Sequence, residues 1–379
     1  MAKKRVAIFG IKYFPSKGGT SRVVENLLWE LRDHFDFTIY CYEHESASTH
    51  IPGVKTIQFP EIPVKGVGVF LYYLRCCMHL LLKGKHDLVH AQKTDAAFFL
   101  PILGLKFKLV ATSHALPYLN EKWSGIGRLY FRMAERFFVR SKAVLTAVSK
   151  PQVEYYWNKY RREVSYIPNG ILPVEKNEPQ LADKILSEHK ISSDYILFAA
   201  RRLIPLKGCH TLLKAMKRID FKGTLVVAAD TGQLPAYTGK LKSLAEGMDV
   251  KFIGYISDRG VLDALIRRAR FFVFPSELEG MSMMLLETGS LGTPMICSDI
   301  PQNLAVMSAE EVLYFKSKNV VDLAGKLQWA FHHPDEMKDL ARKAKLKIEN
   351  KYLVSKVAMQ YVDLYDNLVP QTQAKKSWA

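Results

Sequence analysis

The chain has 379 residues, 48% of them hydrophobic, and its 54 Lys and Arg against 37 Asp and Glu give a formal net charge of +17. At roughly 100–200 residues per domain this length predicts two domains, and the apolar content supplies two packed cores, which excludes a disordered chain and a disulfide-stapled miniprotein. Cys41, Cys76, Cys77, Cys209 and Cys297 show no C-x-x-C spacing and are expected as reduced thiols of a cytoplasmic protein, not as zinc ligands or a disulfide framework.

In chain order, the apolar run behind the basic start is too short for a signal-peptide core and reads as a first strand, Arg5 to Phe9. A Gly-Gly turn and a helical run, Val23 to Leu31, follow. Strands are then expected at Thr38 to Cys41, Leu88 to His90, Lys108 to Ser113, Ala143 to Val148 and Val164 to Ile167. The longest near-apolar stretch, Phe70 to Leu82, contains Arg75 and His79 and is 13 residues long. A spanning helix needs roughly 20 apolar residues, so no membrane crossing is expected. After a polar stretch, Glu175 to Asp194, the series restarts with Tyr195 to Ala200, Thr224 to Ala229, Val250 to Ile253, Phe271 to Phe274, Met295 to Cys297 and Val312 to Phe315. Val357, Tyr361, Leu364, Tyr365 and Leu368 have helical spacing, Pro370 is a stop, and the polar tail from Gln371 is expected to fray. Strands alternating with helices predict an α/β fold of two doubly wound, Rossmann-like domains, with a ligand in the cleft at the carboxyl ends of their strands.

Three segments could carry chemistry. Phe14-Pro-Ser-Lys-Gly18-Gly19-Thr20 opens a helix after strand one, where backbone N–H groups can approach an anion. It fits neither the P-loop nor the dinucleotide fingerprint, and an ordinary strand-to-helix turn explains it equally well. Arg202 and Lys207 lie in the loop closing the first strand of the second series, above a helix start at about His210. The fork of the Arg and the point charge of the Lys suit a diphosphate, although a solvated basic loop accounts for the same residues. In Phe274-Pro-Ser-Glu-Leu-Glu279-Gly280-Met281-Ser282-Met-Met-Leu-Leu-Glu287, Glu279 is expected in a loop, Ser282 as a helix N-cap, and Glu287 on a short helix stopping at Gly292. Two carboxylates so placed can reach different hydroxyls of one elongated ligand while the helix amides face its phosphates; two unrelated acids remain an equal reading. His114 ends a buried strand, where histidines are more often structural than catalytic, and His90 is expected as structural.

Taken together, the Gly-Gly loop, Asp-Leu-Val-His90, Thr-Ser-His114, Ala-Val-Ser149, Ile-Pro-Asn-Gly170, Arg-Leu…Lys-Gly208 and Pro-Ser…Glu-Gly…Glu287…Gly-Thr-Pro294 resemble the retaining glycosyltransferases of family four, which have the GT-B fold. The match runs along almost the whole chain. It implies an acceptor-side domain of residues 1–170 joined by a C-terminal helix of about 354–379, and a nucleotide-sugar domain of residues 171–353. It further implies that Arg202 and Lys207 bind the donor diphosphate, that Glu287 holds the nucleotide ribose and Glu279 the sugar hydroxyls, and that the amides around Gly280, Met281 and Ser282 face sugar and phosphate. Gly18 and Gly19 would lie under the same diphosphate, and His114 beside the donor sugar. Glu279, His114, Arg202 and Lys207 are thus the expected catalytic set. Arg201, Ala228-Ala229-Asp230 and Met281-Ser282 depart from the family pattern, which bears on the donor sugar. The expected partners are a nucleotide-diphosphate sugar, UDP before GDP, and a hydroxyl acceptor on a glycan or lipid. No Asp-x-Asp occurs, in keeping with an enzyme needing no metal or other cofactor. A sugar-nucleotide 2-epimerase of the same architecture is the alternative enzyme.

The charge excess sits in the first half, where residues 1–170 hold 25 Lys and Arg against 13 Asp and Glu. Arg128, Arg132, Arg136 and Arg140 recur every four residues and drift only about 40° per step on a helix, forming one stripe. Leu129, Tyr130, Met133, Phe137 and Phe138 are expected to centre on the other side. The stripe is either a solvated face or a docking surface for anionic lipid or a lipid-linked acceptor, which would place a cytoplasmic enzyme peripherally on the inner face of the plasma membrane. A nucleic-acid-binding protein using the basic N-terminal half is the other alternative, but nucleic acid is not the expected partner, because no recognisable recognition motif accompanies the charge.

Overall fold

A computed structural model of the chain describes residues 3–16, 18–45, 50–64, 67–116, 125–173, 180–191 and 194–370; Lys17 and the tail from Gln371 lie outside them. The chain divides into two compact units, Met1–Leu172 with Val354–Ala379, and Pro173–Leu353.

The first unit contains, in order, β1 (Lys4–Phe9), α1 (Gly19–Leu31), β2 (Phe35–Tyr42), β3 (Lys55–Phe59), α2 (Val67–Lys83), β4 (Leu88–Gln92), a 3-10 turn (Thr94–Phe99), α3 (Leu100–Leu103), β5 (Lys108–Ser113), α4 (Gly125–Arg140), β6 (Val144–Ala147), α5 (Lys150–Tyr160) and β7 (Ser165–Tyr166). Its seven strands form a parallel sheet of order β3-β2-β1-β4-β5-β6-β7. Central strands are buried on both faces, which is why they read as continuous apolar runs. β3 was not expected: this edge strand is half-buried and mixes Lys55, Thr56 and Gln58 with Ile57 and Phe59. The helix Val354–Leu368 packs on α1, starts with Val354 N–H donating to the Ile171 carbonyl at 2.7 Å, and places the Tyr365 hydroxyl 2.6 Å from His90 Nδ1.

The exposed surface of α4 differs from the expected one. Arg128, Arg132, Arg136 and Arg140 are all exposed, but so are Leu129, Met133 and Phe137 beside them. The helix turns Phe131, Ala134, Glu135, Phe138 and Val139 inward instead. Glu135 can be buried because Lys159, Tyr155 and Tyr160 all donate to its carboxylate, at 3.1, 3.1 and 2.5 Å.

The second unit runs α6 (Gln180–Glu188), β8 (Tyr195–Arg202), α7 (Cys209–Arg218), β9 (Thr224–Asp230), α8 (Pro235–Leu244), β10 (Val250–Phe252), α9 (Arg259–Arg268), β11 (Phe271–Phe274), α10 (Met283–Leu291), β12 (Met295–Ser298), α11 (Pro301–Leu304), β13 (Leu313–Phe315), α12 (Val320–His332) and α13 (Pro334–Lys351). Its six-stranded parallel sheet has the order β10-β9-β8-β11-β12-β13. α6 lies inside the stretch expected as a polar connection and buries only Ala182 and Leu186. Among the described residues no helix is long and apolar enough to cross a membrane.

Candidate active site

In the second unit, two loops at the carboxyl edge of the sheet are fastened to each other. β8 ends in a register shift between Ala200 and Arg202, which leaves Arg201 exposed and Arg202 half-buried beside Asp230. Burial and the neighbouring Arg201 pull the Arg202 pKa down, opposed by Asp230. Pro205–Lys207 makes one 3-10 turn, closed by Gly208 N–H donating to the Pro205 carbonyl at 2.8 Å. Gly208 has φ +70° and its α-carbon lies against the next loop, so that a β-carbon there would sit 1.9 Å from the Pro275 carbonyl oxygen. Glu277 N–H donates to the Leu206 carbonyl at 2.9 Å across the same seam.

The seam brings two of the expected residues together. Lys207 Nζ donates to Glu279 Oε1 at 2.5 Å, and both side chains are mostly shielded. Glu277, two residues earlier, faces Lys318 Nζ at 3.1 Å and His210 Nε2 at 3.5 Å, with His210 Nδ1 2.9 Å from the Tyr237 hydroxyl. Burial lowers the His210 pKa against the opposing pull of Glu277.

Ser282 is the N-cap of α10, accepting from Leu285 N–H at 3.4 Å, and Gly292 ends that helix in the left-handed region. Glu287 is 0% exposed, and its Oε1 accepts from Arg259 Nη1 at 2.5 Å. Arg259 also donates through Nε to Asp263 at 2.7 Å, while Asp258 caps its helix. Burial pulls the Arg259 pKa down, and Glu287 and Asp263 more than offset it, so the net shift is upward. Arg259, His210, Glu277 and Lys318 were not singled out in the sequence. The one local signal was the Asp258 cap with the Arg259–Asp263 pair one turn apart.

Gly18, Gly19 and His114 lie in the first unit. α1 begins at Gly19 behind an extended Gly18 with no side-chain cap, and a β-carbon on Gly19 would meet nothing within 4 Å. His114 follows β5, and its Nε2 donates to Gln92 Oε1 at 2.7 Å, leaving Nδ1 as an acceptor. Burial, aided by Lys93, pushes its pKa down to about 3. His90 is likewise pushed to about 3 by burial and His114, and is held by Tyr365 and Thr112 at 2.6 Å each. Both rings are therefore neutral at pH 7.

In the second unit Arg202, Lys207 and the amide end of α10 are groups that suit phosphates and Glu279 is a carboxylate that suits hydroxyls, whereas Glu287, expected to reach a ligand hydroxyl, is fully buried against Arg259. Among the described residues no group of three or more His, Cys, Asp or Glu could hold a metal ion. A cavity of about 290 Å³ lined by Tyr195, Phe221, Arg270 and Phe331 lies at the amino edge of this sheet, away from these groups.

The model for glycosyl transferases group 1 matches residues 182–347, and that for Glycosyltransferase Family 4 matches residues 17–173. The chain is a family 4 glycosyltransferase. This glycosyltransferase is 24% identical over 297 residues to the O-antigen biosynthesis glycosyltransferase WclY of Escherichia coli, covering 75% of this chain and 80% of that one. It is 22% identical to the Escherichia coli UDP-Gal:alpha-D-GlcNAc-diphosphoundecaprenol alpha-1,3-galactosyltransferase, covering 96% and 98% of the two chains. Its fold is that of the sucrose-phosphate synthase of Thermosynechococcus elongatus, with a TM-score of 0.82 at 19% identity and coverage of 98% and 100%.

Proposed function

We propose that this glycosyltransferase transfers a sugar, with retention and without a metal, from a nucleotide-diphosphate sugar to a hydroxyl of a lipid-linked glycan in envelope or surface polysaccharide synthesis. The observation that carries this reading is the Lys207–Glu279 pair, a cation and a carboxylate held together by two interlocked loops. In the donor-free protein the two neutralise each other. A bound nucleotide sugar replaces both halves of the pair at once, its diphosphate taking Lys207 and its sugar hydroxyls taking Glu279. Negative charge grows on the leaving phosphate as the anomeric bond breaks, and Lys207, Arg202 and the first amides of α10 stabilise it, which is the service a divalent ion gives elsewhere. Glu287 takes the ribose hydroxyls only as its pair with Arg259 opens, because its side chain is fully buried against that guanidinium.

UDP is the preferred nucleotide. The name of the galactosyltransferase relative, with its UDP donor and undecaprenyl acceptor, supports both the base and a membrane-linked acceptor, and the exposed arginines of α4 fit work at an anionic membrane surface. A thermal-shift screen of nucleotide sugars tests the donor, since a ligand at about 100 times its Kd stabilises by about 2.7 kcal/mol. Purified Lys207→Ala and Glu279→Ala are expected to fold and to lose transfer, and turnover is expected to survive EDTA. Near-normal turnover in either variant overturns the assignment.

A further inference from the structure

The two faces of the first sheet differ in kind around β4, β5 and β6. Val89, Ala91, Leu109, Ala111, Leu145 and Ala147 belong to the apolar core shared with α2 and α4. His90, Gln92, Thr112 and Thr146 alternate with them along the strands and so lie on the other face, where all four are buried. Polar side chains buried side by side are costly unless each finds a partner, and each of these does. The final helix, Val354–Leu368, covers them: the Tyr365 hydroxyl lies 2.6 Å from His90 Nδ1, and the Tyr361 ring lies 5.6 Å from the same imidazole between centroids. Thr112 Oγ1 lies 2.6 Å from His90 Nε2 and 2.6 Å from Thr146 Oγ1.

Gln92 ends β4 and joins this network to His114. Its Oε1 accepts from His114 Nε2 at 2.7 Å, and its Nε2 lies 3.1 Å from His90 Nε2. A carboxamide has one accepting end and one donating end, so each contact fixes the other. With the oxygen toward His114, the amide nitrogen donates toward His90, whose Nε2 carries the lone pair and whose Nδ1 donates to the Tyr365 hydroxyl. Turning the amide over would drive the His114 proton from Nε2 to Nδ1 and would set the amide oxygen against a lone pair of His90. The backbone leaves Gln92 little room. A β-carbon on Gly10 would sit 2.0 Å from the Gln92 carbonyl oxygen, and Lys93, the next residue, is held at φ 89° with its N–H donating to the Thr112 carbonyl at 2.9 Å. A lysine in that region is uncommon and persists where its surroundings impose it.

We propose that Gln92 is the positioning residue of His114, holding the ring with Nε2 protonated and Nδ1 free to accept from a substrate hydroxyl, and that His90, clamped by the final helix, holds Gln92. The inference rests on the expected place of His114 among the catalytic residues and adds what sets its proton. Packing alone does not call for this arrangement, since the opposite face of the same strands is filled by Val, Leu and Ala.

The test uses the full chain with 15N-labelled histidine. It has 11 histidines, and His114→Ala assigns the signal of interest. In the parent, His114 is expected to show a single tautomer, Nε2–H, between about pH 5 and 8. Gln92→Met, close in size and unable to bridge, is expected to show a mixture of both tautomers and to lower kcat by about 10–100-fold with the donor KM kept within about a factor of two. Gln92→Glu keeps an acceptor at the same reach, so it is expected to retain the Nε2–H tautomer while moving the acid limb of the pH–rate profile upward. Among the described residues, the titratable groups acting on His114 are Lys93 and His90, and neither variant changes them. In a His114→Ala background Gln92→Met is expected to cost nothing further, whereas a merely structural glutamine would add its own loss. An unchanged His114 tautomer in Gln92→Met overturns the proposal, as does full additivity with His114→Ala. Parent-like turnover in His114→Ala also overturns it and leaves the Lys207–Glu279 chemistry standing. Parent-like turnover in Lys207→Ala overturns the donor reading instead, and the tautomer measurement then still decides the role of Gln92.

Discussion

Gly208→Ala is the sharpest single test of how the second unit holds its charged pair. The new β-carbon would sit 1.9 Å from the Pro275 carbonyl oxygen, whereas such contacts are not found under 3.0 Å, so the two loops must part by about 1 Å. The left-handed backbone at φ +70° adds about 1–2 kcal/mol for any residue with a β-carbon. Parting the loops also stretches the hydrogen bond from Glu277 N–H to the Leu206 carbonyl, worth about 1 kcal/mol. The sum is about 2–3 kcal/mol, or roughly 5–10 °C in the melting temperature of a unit of this size. Because Lys207 precedes Gly208, the same movement misplaces its ammonium, and a shift of about 1 Å costs on the order of 100-fold in turnover. Calorimetry and initial-rate transfer assays read the two effects separately. Gly325→Ala is the control: it lies in α12 with nothing within 4 Å of its would-be β-carbon, and is expected to gain about 1 kcal/mol. A Gly208→Ala protein that melts within 1 °C of the parent and turns over within a factor of two refutes the interlocked-loop account.

Arg259→Gln removes the guanidinium that Glu287 faces inside the second unit. A loss of about 2 kcal/mol by urea unfolding is expected, at the low end for a buried pair because Arg259 is partly exposed, with Glu287→Gln recovering part of it in the double variant. If the single and double variants unfold at the same urea concentration, the two residues are not coupled. Acid should destabilise the first unit through its two depressed histidines. Unfolded imidazoles take up protons below the ordinary pKa of 6.5, whereas His90 and His114 resist to about 3, so their contribution is complete above pH 6.5 and falls progressively toward pH 3. The fall is about 1.4 kcal/mol per pH unit for each histidine. Urea unfolding at pH 7, 6 and 5 measures it, and His114→Asn should flatten the slope by one proton; equal slopes in parent and variant contradict the shift.

Most strands were legible because a parallel sheet covered on both faces leaves no polar positions to interrupt the run; Val6–Phe9 and Phe271–Phe274 are entirely buried. β3 is less legible because it sits half-buried at a sheet edge with a mixed sequence, and α6 because its apolar stripe, Leu181, Ala182, Ile185 and Leu186, spans only two turns inside a polar stretch. On α4 the spacing correctly grouped the arginines, but a helical wheel cannot say which arc faces the core. That was decided by Phe131, Phe138 and a Glu135 whose partners come from α5. In the site, Ser282 and Gly292 were readable as local cap and stop, whereas Lys207 and Glu279 are 72 residues apart and meet only through the folded seam. Arg259 was invisible for the same reason, its partner Glu287 lying 28 residues further on.

The return of the final helix to the first sheet has a consequence for biosynthesis. His90 is sealed by Tyr361 and Tyr365, and Lys4 is paired with Asp366 at 2.6 Å, so β1 and β4 wait for a helix made some 260 residues or more after them. All of Pro173–Leu353 emerges in the interval and has every residue it needs to fold. The order of maturation is thus inverted relative to the order of synthesis, with the second unit complete first and the first unit closed only when the helix Val354–Leu368 arrives. A chain truncated before Val354 should accordingly present protease with a resistant second unit and an unfinished first one.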